Sequence, residues 1–286
     1  MSYNDLYLSN SPLVTNVIND ENPIIHILGA PYDSTSTYRS GSRSAPNSIR
    51  ESFLNVELYF PELDVDVETI PIMDLGNLSD CSNVEEQIKI VNNAVSELFD
   101  KNLIPGVLGG EHTITLPINR ALSENSVLIV FDAHLDLRDE YSGLKMSHAT
   151  YLRRLLDFSD QRRIIHIGTR AATKDEWTLA KNMGIQLLTA EDILNGKHSK
   201  LISLLAGIND IHLSVDLDVL DPGYSPGVSN PEPGGISIND VFKLIMMLNG
   251  QRIKAFDIVE LSPPYDNGVT SIVAAKLLAL IIALCK

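Results

Sequence analysis

Val127-Leu128-Ile129-Val130-Phe131-Asp132-Ala133-His134-Leu135-Asp136 joins an apolar run to three hard metal ligands at alternating positions. The run reads as a strand. On an extended strand end alternate side chains point the same way, so Asp132, His134 and Asp136 can share one metal centre. The same design returns in Ser214-Val215-Asp216-Leu217-Asp218-Val219-Leu220-Asp221-Pro222, again at the end of an apolar run. A third run, Leu103 to Leu108, ends in Gly109-Gly110-Glu111-His112, an imidazole behind glycines that let the backbone approach closely. The candidate ligand set is therefore His112, Asp132, His134, Asp136, Asp216 and Asp218.

Four carboxylates and two imidazoles with no thiolate suit a borderline divalent transition metal, manganese first, better than calcium or a Cys-bound zinc. Two carboxylate-rich strand ends imply two cations. Six side chains cannot complete two octahedral shells, so some carboxylates must bridge and open positions must hold water. Water shared by two cations loses a proton readily near neutral pH, and the chemistry implied is hydrolysis. Any one acidic turn after a strand reads equally well as a solvated loop, a helix cap or a weak calcium site. Three clusters of matching ligands behind three strands argue against that reading.

Short β-rich runs alternate with amphipathic stretches of helical length over the whole chain. Strands are expected at Pro23 to Leu28, Leu103 to Leu108, Val127 to Phe131, Arg163 to Ile167, Ile185 to Leu188, Ile211 to Val215 and Lys254 to Val259, with a weaker one near Thr69 to Met73. Helices are expected near Pro46 to Leu58, Val84 to Asp100, Ile114 to Ser123, His148 to Leu156, Lys174 to Met183, Ala190 to Leu205, Ile238 to Leu248 and Ser271 to Leu284. Near-continuous Ile/Val/Leu strands between helices mean a mostly parallel sheet covered on both faces, hence a three-layer α/β/α sandwich. Open parallel sheets bind ligands beyond the carboxyl ends of their strands, where all three clusters fall. A TIM barrel ranks second, because the weak early strands and the long segment from Leu58 to Val84 spoil an eightfold repeat.

No Pro, Gly or Ser tract divides the 286 residues, so one domain over 1–286 is expected. The polar start, Met1 to Asn10, predicts no secretory signal, and a cytoplasmic protein follows. Cys81 and Cys285, far apart and outside the metal motifs, read as reduced thiols. The apolar run Leu277 to Leu284 is far shorter than the roughly 20 residues that span a bilayer, and reads as a buried terminal helix. A net charge of −15 opposes nucleic acid and polyanionic partners and favours cations, although acidity serves solubility equally well.

Beyond the ligands, Glu260 ends the run Ala255 to Val259 and is followed by Leu261-Ser262-Pro263-Pro264, whose prolines stop the strand and hold the carboxylate at its tip. His148, in Ser147-His148-Ala149-Thr150, opens a helix shortly after the Asp132 cluster and can overhang the metals in proton transfer; the plainer alternative is a capping neighbour. His26, His166 and His212 lie in apolar strands and read as structural, and His198 as exposed.

Together these residues resemble the ureohydrolases, the arginase and agmatinase family, whose motifs Gly-Gly-(Asp/Glu)-His, Asp-Ala-His-x-Asp and Ser-x-Asp-x-Asp-x-x-Asp-Pro stand at Gly109 to His112, Asp132 to Asp136 and Ser214 to Pro222. Pro231-Glu232-Pro233-Gly234-Gly235 and Val259-Glu260-Leu261-Ser262-Pro263-Pro264-Tyr265-Asp266 look more like agmatinases than arginases. Arg138 stands where arginases usually carry an Asn that holds a substrate α-carboxylate, and Ala149 where many agmatinases have Gly. The resemblance implies an eight-stranded sheet, assembly into homotrimers or hexamers and two Mn2+ per chain. One ion would take His112, Asp132, Asp136 and Asp216, the other His134, Asp132, Asp216 and Asp218. It further implies attack of a bridging hydroxide on a small cationic guanidino substrate, agmatine giving putrescine and urea. In that scheme Asp136 orients the hydroxide and protonates the leaving amine, Glu260 pairs with the guanidinium and His148 relays protons. Rival readings are an arginase, a guanidinobutyrase, a formimidoylglutamase, an aminopropylagmatine ureohydrolase or a non-catalytic metal-binding member.

Overall fold

The computed structural model describes residues 8–9, 22–159 and 163–286; the rest of the polar start lies outside them. Along the chain the strands are β1 (Leu8–Ser9), β2 (Ile25–Ala30), β3 (Tyr59–Phe60), β4 (Val65–Asp66), β5 (Ile72–Leu78), β6 (Ile104–Gly109), β7 (Val127–Phe131), β8 (Ile164–Ile167), β9 (Gln186–Leu188), β10 (Asp210–Asp216) and β11 (Arg252–Val259). The α-helices are α1 (Ala45–Phe53), α2 (Val84–Asp100), α3 (Thr115–Ala121), α4 (Tyr151–Phe158), α5 (Lys174–Asn182), α6 (Ala190–Leu194), α7 (Lys200–Leu204), α8 (Ile238–Met246) and α9 (Val269–Leu284).

β7 is buried at all five positions, and the pleat explains why. Ile129 and Phe131 point to one face, where α1, α8 and α9 supply the core, while Leu128 and Val130 point to the other, against α3 and α4. Ile27 and Leu28 of β2 split the same way, Leu28 meeting α2. Helices thus cover both faces of one sheet, the expected sandwich. Its order is β1-β5-β2-β6-β11-β10-β7-β8-β9. Eight strands run parallel, and β1 adds a two-residue antiparallel edge beside β5. The sheet is open, so the TIM barrel is excluded.

The chain builds outward to β5, returns to β6, jumps to β7 and then builds outward again to β9. Only later do β10 and β11 fill the gap between β7 and β6. That order creates the switch points at which open parallel sheets form their crevices, between the carboxyl ends of β6, β11, β10 and β7.

Local chemistry sets the element ends. The Asn83 side chain accepts from Glu86 N and starts α2 at the expected residue. Reciprocal capping boxes, Thr173 with Glu176 and Ser237 with Asp240, start α5 and α8. α9 is apolar nearly all round and buried, as its sequence predicts, and no helix of the described residues is long and apolar enough to cross a membrane.

Four elements differ from expectation. The helix expected at Pro46 to Leu58 stops at Phe53, and the chain then forms the small β3–β4 hairpin. The early strand lies at Ile72–Leu78 rather than Thr69 to Met73. The helix expected over Ala190 to Leu205 breaks into α6 and α7, because Gly196 takes φ +76 between them. His148 does not open a helix: it lies in a turn three residues before α4 begins.

Candidate metal centre

Each predicted metal residue follows the carboxyl end of one of the four central strands or, in the case of Asp216, ends it. Gly110 allows the first of these turns, since a Cβ there would lie 1.9 Å from Tyr32 O. The turn is pinned on both sides: Glu111 N donates to Tyr32 O at 2.7 Å, and Gly110 O itself accepts from Glu260 N at 2.8 Å. His112 is thereby held between the ends of β2 and β11.

The Asp132–Asp136 stretch converges by a different geometry from the expected strand end. β7 stops at Phe131, and Asp136 adopts φ +50, so a left-handed turn rather than strand alternation brings its carboxylate back. Glu260, at φ +65, is bent the same way. Non-glycine residues held there store strain, and such strain concentrates at functional sites.

The donor atoms of His112, Asp132 and Asp136 lie within 4.8 Å of one another, as do those of Asp132, His134 and Asp218. Asp132 is common to both groups. Asp216 joins the first, its Oδ2 3.1 Å from His112 Nδ1, and Asp218 Oδ2 is 2.9 Å from His134 Nδ1. His112 Nδ1 and Asp132 Oδ2 are buried and make no hydrogen bond, although only 3.1 Å separates them. Burial and then the Asp132 charge push the Asp136 carboxyl well above the usual range; burial and then the Asp218 charge do the same to Asp216. Burial works against a charged His112, but Asp132 and Asp136 beside it hold the imidazole at about 9. Crowded oxygens with raised proton affinity and orphaned donors of hard and borderline type are the features of a divalent-cation site, so the residues fit bound metal.

The cluster forms the floor of a cavity of about 370 Å³, whose walls include His148, Glu260, Arg138, Tyr141, Glu176 and Glu232. Glu260 Oε1 accepts from His112 N at 2.7 Å, whereas the buried Oε2 makes no hydrogen bond of good geometry. Burial and the Glu111 charge raise its pKa to about 8. His148 is buried with Nε2 3.3 Å from Thr37 Oγ1; burial, reinforced by His134 and His112, lowers it to about 4, leaving a neutral ring at neutral pH. Arg138 stacks over Tyr141 at 4.7 Å with Nε 3.8 Å from Glu176. Arg170 ties the ligand loop to the outer wall, its Nη2 donating at 2.7 Å both to Asp218 O and to Glu232 O.

Several residues gave no functional signal in sequence. Glu111, wholly buried, accepts from Thr35 N at 2.8 Å and Thr113 Oγ1 at 2.5 Å, and Thr35 Oγ1 in turn accepts from His148 N at 3.2 Å. It stands inside a recognisable motif, but its role depends on the β2 loop, 76 residues away. His212 is structural as expected, with Nε2 2.7 Å from Asp257 Oδ2, and His166 Nδ1 lies 2.7 Å from Thr169 Oγ1. His198 is half-buried and pairs with Asp240 at 2.8 Å, rather than exposed.

Comparison with known proteins agrees with this geometry. The family model of the arginase family matches residues 24–283. The agmatinase of Pyrococcus horikoshii is 35% identical over 261 residues, covering 90% of each chain. The agmatinase of Bacillus cereus is 34% identical over 256 residues, covering 87% of each. Among solved structures, the agmatine ureohydrolase of Thermoplasma volcanium superimposes with a TM-score of 0.89 at 36% identity, covering 97% of this chain and 95% of that one. This chain belongs to the arginase family.

Proposed function

We propose that the protein is a binuclear manganese hydrolase that cleaves agmatine to putrescine and urea. The observation that carries the reading is one cavity lined both by members of a buried His/Asp cluster and by Glu260, a buried carboxylate whose Oε2 makes no hydrogen bond of good geometry. Similarity to agmatinases supports the substrate.

His112, Asp132, Asp136 and Asp216 would hold one ion, and His134, Asp132, Asp216 and Asp218 the other. Bound there, the ions supply Lewis-acid activation of water near neutral pH. The chain's own residues do the rest. Glu260 Oε2 pairs with a guanidinium N–H, a charge-assisted bond that fixes the substrate carbon over the cluster and favours the ionised carboxylate. Asp136, whose proton affinity is raised by burial, carries a proton to the departing amine nitrogen as the C–N bond breaks. His148, neutral at neutral pH, accepts a proton at a ring nitrogen and passes it to solvent.

Features of the outer wall support an amine at the distal end of the substrate. Both Glu176 oxygens are engaged, by Leu137 N at 3.1 Å and Thr173 N at 2.9 Å, and Arg138 is committed to Tyr141 and Glu176. No Asn stands at position 138 to receive an α-carboxylate. An α-carboxylate would enter this mouth without a ready partner, whereas an ammonium meets Glu232 in the wall. Urea release with manganese from agmatine, arginine and 4-guanidinobutyrate tests the reading. Agmatine should exceed arginine in kcat/KM by orders of magnitude; preference for arginine would recast Arg138 as a carboxylate clamp and overturn the agmatine assignment. Assembly as a homotrimer or hexamer, supported by family membership, and a cytoplasmic location belong to the same proposal; light scattering reads the first.

A further inference from the structure

The loop that follows β2 reaches the cavity wall and meets both ring nitrogens of His148. Asp33 clasps it, with Oδ2 accepting from Gly41 N at 2.7 Å and Oδ1 from Arg43 Nε at 2.5 Å. Within the loop, Oγ1 of the buried Thr35 accepts from His148 N at 3.2 Å and lies 3.5 Å from His148 Nδ1. The exposed Thr37, which lines the cavity, meets the other nitrogen, its Oγ1 3.3 Å from Nε2.

The two contacts are not equivalent, because Thr35 has no hydrogen left to give. Glu111, wholly buried, accepts the Thr35 hydroxyl hydrogen at Oε1 and Thr35 N at Oε2, the latter at 2.8 Å. An ionised carboxylate has no hydrogen to return, and a hydroxyl has only one, so toward His148 the Thr35 oxygen can only accept. Burial keeps the His148 ring neutral at neutral pH, so the ring carries a single hydrogen, and Nδ1 must hold it to satisfy Thr35. Nε2 is left with its lone pair, to which the Thr37 hydroxyl donates.

We propose that Thr35 is a positioning residue that holds neutral His148 in the Nδ1–H form and so fixes Nε2, beside Thr37 at the cavity wall, as the nitrogen that takes up the proton. The role deepens the proposed function and rests on the reading of His148 as its proton carrier. Uptake of a proton from the cavity forms an Nε2–H bond and charges the ring; release to solvent restores the neutral form. Without the Thr35 oxygen, Thr37 is free to turn and accept from Nε2–H, and the lone pair moves to the wrong nitrogen.

Proton–nitrogen correlation spectra of the metal-free full-length protein with isotopically labelled histidines read the tautomer directly. They are recorded on the basic side of pH 7, where Glu111, raised to about 7 chiefly by burial, is ionised. The His148 signals are those missing from His148→Ala. Wild type and Thr35→Ser, which keeps the hydroxyl, should show the hydrogen on Nδ1, and Thr35→Val should move it at least in part to Nε2. With manganese and agmatine, Thr35→Val should keep its metal content and KM and lose about tenfold or more in turnover, part of the roughly 10²- to 10⁴-fold that acid–base transfer contributes; Thr35→Ser should retain it. In the His148→Ala background the same substitution should cost nothing further, because both act at one ring. Hydrogen on Nε2 in the wild type, an unmoved tautomer in Thr35→Val, or an equal loss in the His148→Ala background would overturn the role. The wild-type spectrum decides alone if Thr35→Val does not fold. A wild-type chain that releases no urea from agmatine would overturn the functional reading instead, while the spectra, which need neither metal nor substrate, still decide the tautomer.

Discussion

The two ends of the same central strands treat charge in opposite ways. At the amino end, where β10 and β11 begin, Asp210 and Arg252 are register partners and pair at the surface, with Arg252 Nη2 2.8 Å from Asp210 Oδ2 and the arginine side chain 68% exposed. At the carboxyl end, Asp132, Asp136, Asp216, Asp218 and Glu260 are all buried. Each surface charge has a partner and water; the buried ones face chiefly one another, two imidazoles and a cavity. The difference teaches that the first end is arranged for folding, whereas the second gathers buried charge around a cavity, an arrangement that the proposed cations would complete.

Substitution at the carboxyl end should break function while relieving the fold. Asp216→Asn is expected to lower manganese content to one ion or none and to abolish urea formation. It should also raise the thermal midpoint of the metal-free protein by a few degrees. The sign follows from the raised pKa: near pH 7 a carboxylate that folding makes harder to ionise opposes folding, and a neutral amide removes that opposition. A lower metal-free midpoint would show that the buried charge is compensated after all.

Glu260→Gln keeps the shape that caps His112 N but removes the charge that pairs with the guanidinium. A lost buried charge pair costs about 2 to 5 kcal/mol, so kcat/KM should fall roughly 30- to 4,000-fold with both ions retained. Loss of manganese in that variant would make Glu260 a support of the metal cluster instead. His148→Ala should leave metal content and substrate affinity nearly intact and lower turnover on the order of 10²- to 10⁴-fold. Unchanged turnover would return His148 to a capping role.

Proton competition sharpens the contrast further. With His112 held at about 9, its ring is protonated near neutral pH in the metal-free protein and must lose that proton to bind a cation. Against its burial, Asp218 and Asp132 likewise hold the His134 imidazole protonated, so apparent manganese affinity should rise at least about tenfold per pH unit above 7, with proton release visible in buffers of different ionisation enthalpy. A flat profile would contradict the account. The smallest effect belongs to the amino end: Arg252→Ala should leave urea formation unchanged and the thermal midpoint within a few degrees of wild type, because an exposed pair is screened by solvent.

What the sequence revealed follows the same division. Runs such as Val127 to Phe131 and Val84 to Asp100 were legible to the residue, because continuous apolar burial or a side-chain cap fixes them locally. β5 was misplaced because it carries Asp74, Gly76 and Asn77, residues that look like loop. They are tolerated in a strand because Arg50 reaches in from α1, donating to both Asp74 oxygens at 2.8 and 2.9 Å. The six metal candidates were legible because they stand in three short motifs. The left-handed turn at Asp136, the Glu111–Thr35 link and the Thr35–His148 contact were not, since each depends on a backbone turn or on contact between segments far apart in sequence.

The most direct test of a two-ion guanidinium hydrolase is a titration of the metal-stripped protein with manganese, following urea release from agmatine at neutral pH against ions bound per chain. Turnover is expected to stay low after the first equivalent and to reach its plateau with the second. Full turnover at one ion per chain, or no urea with both ions bound, would contradict it.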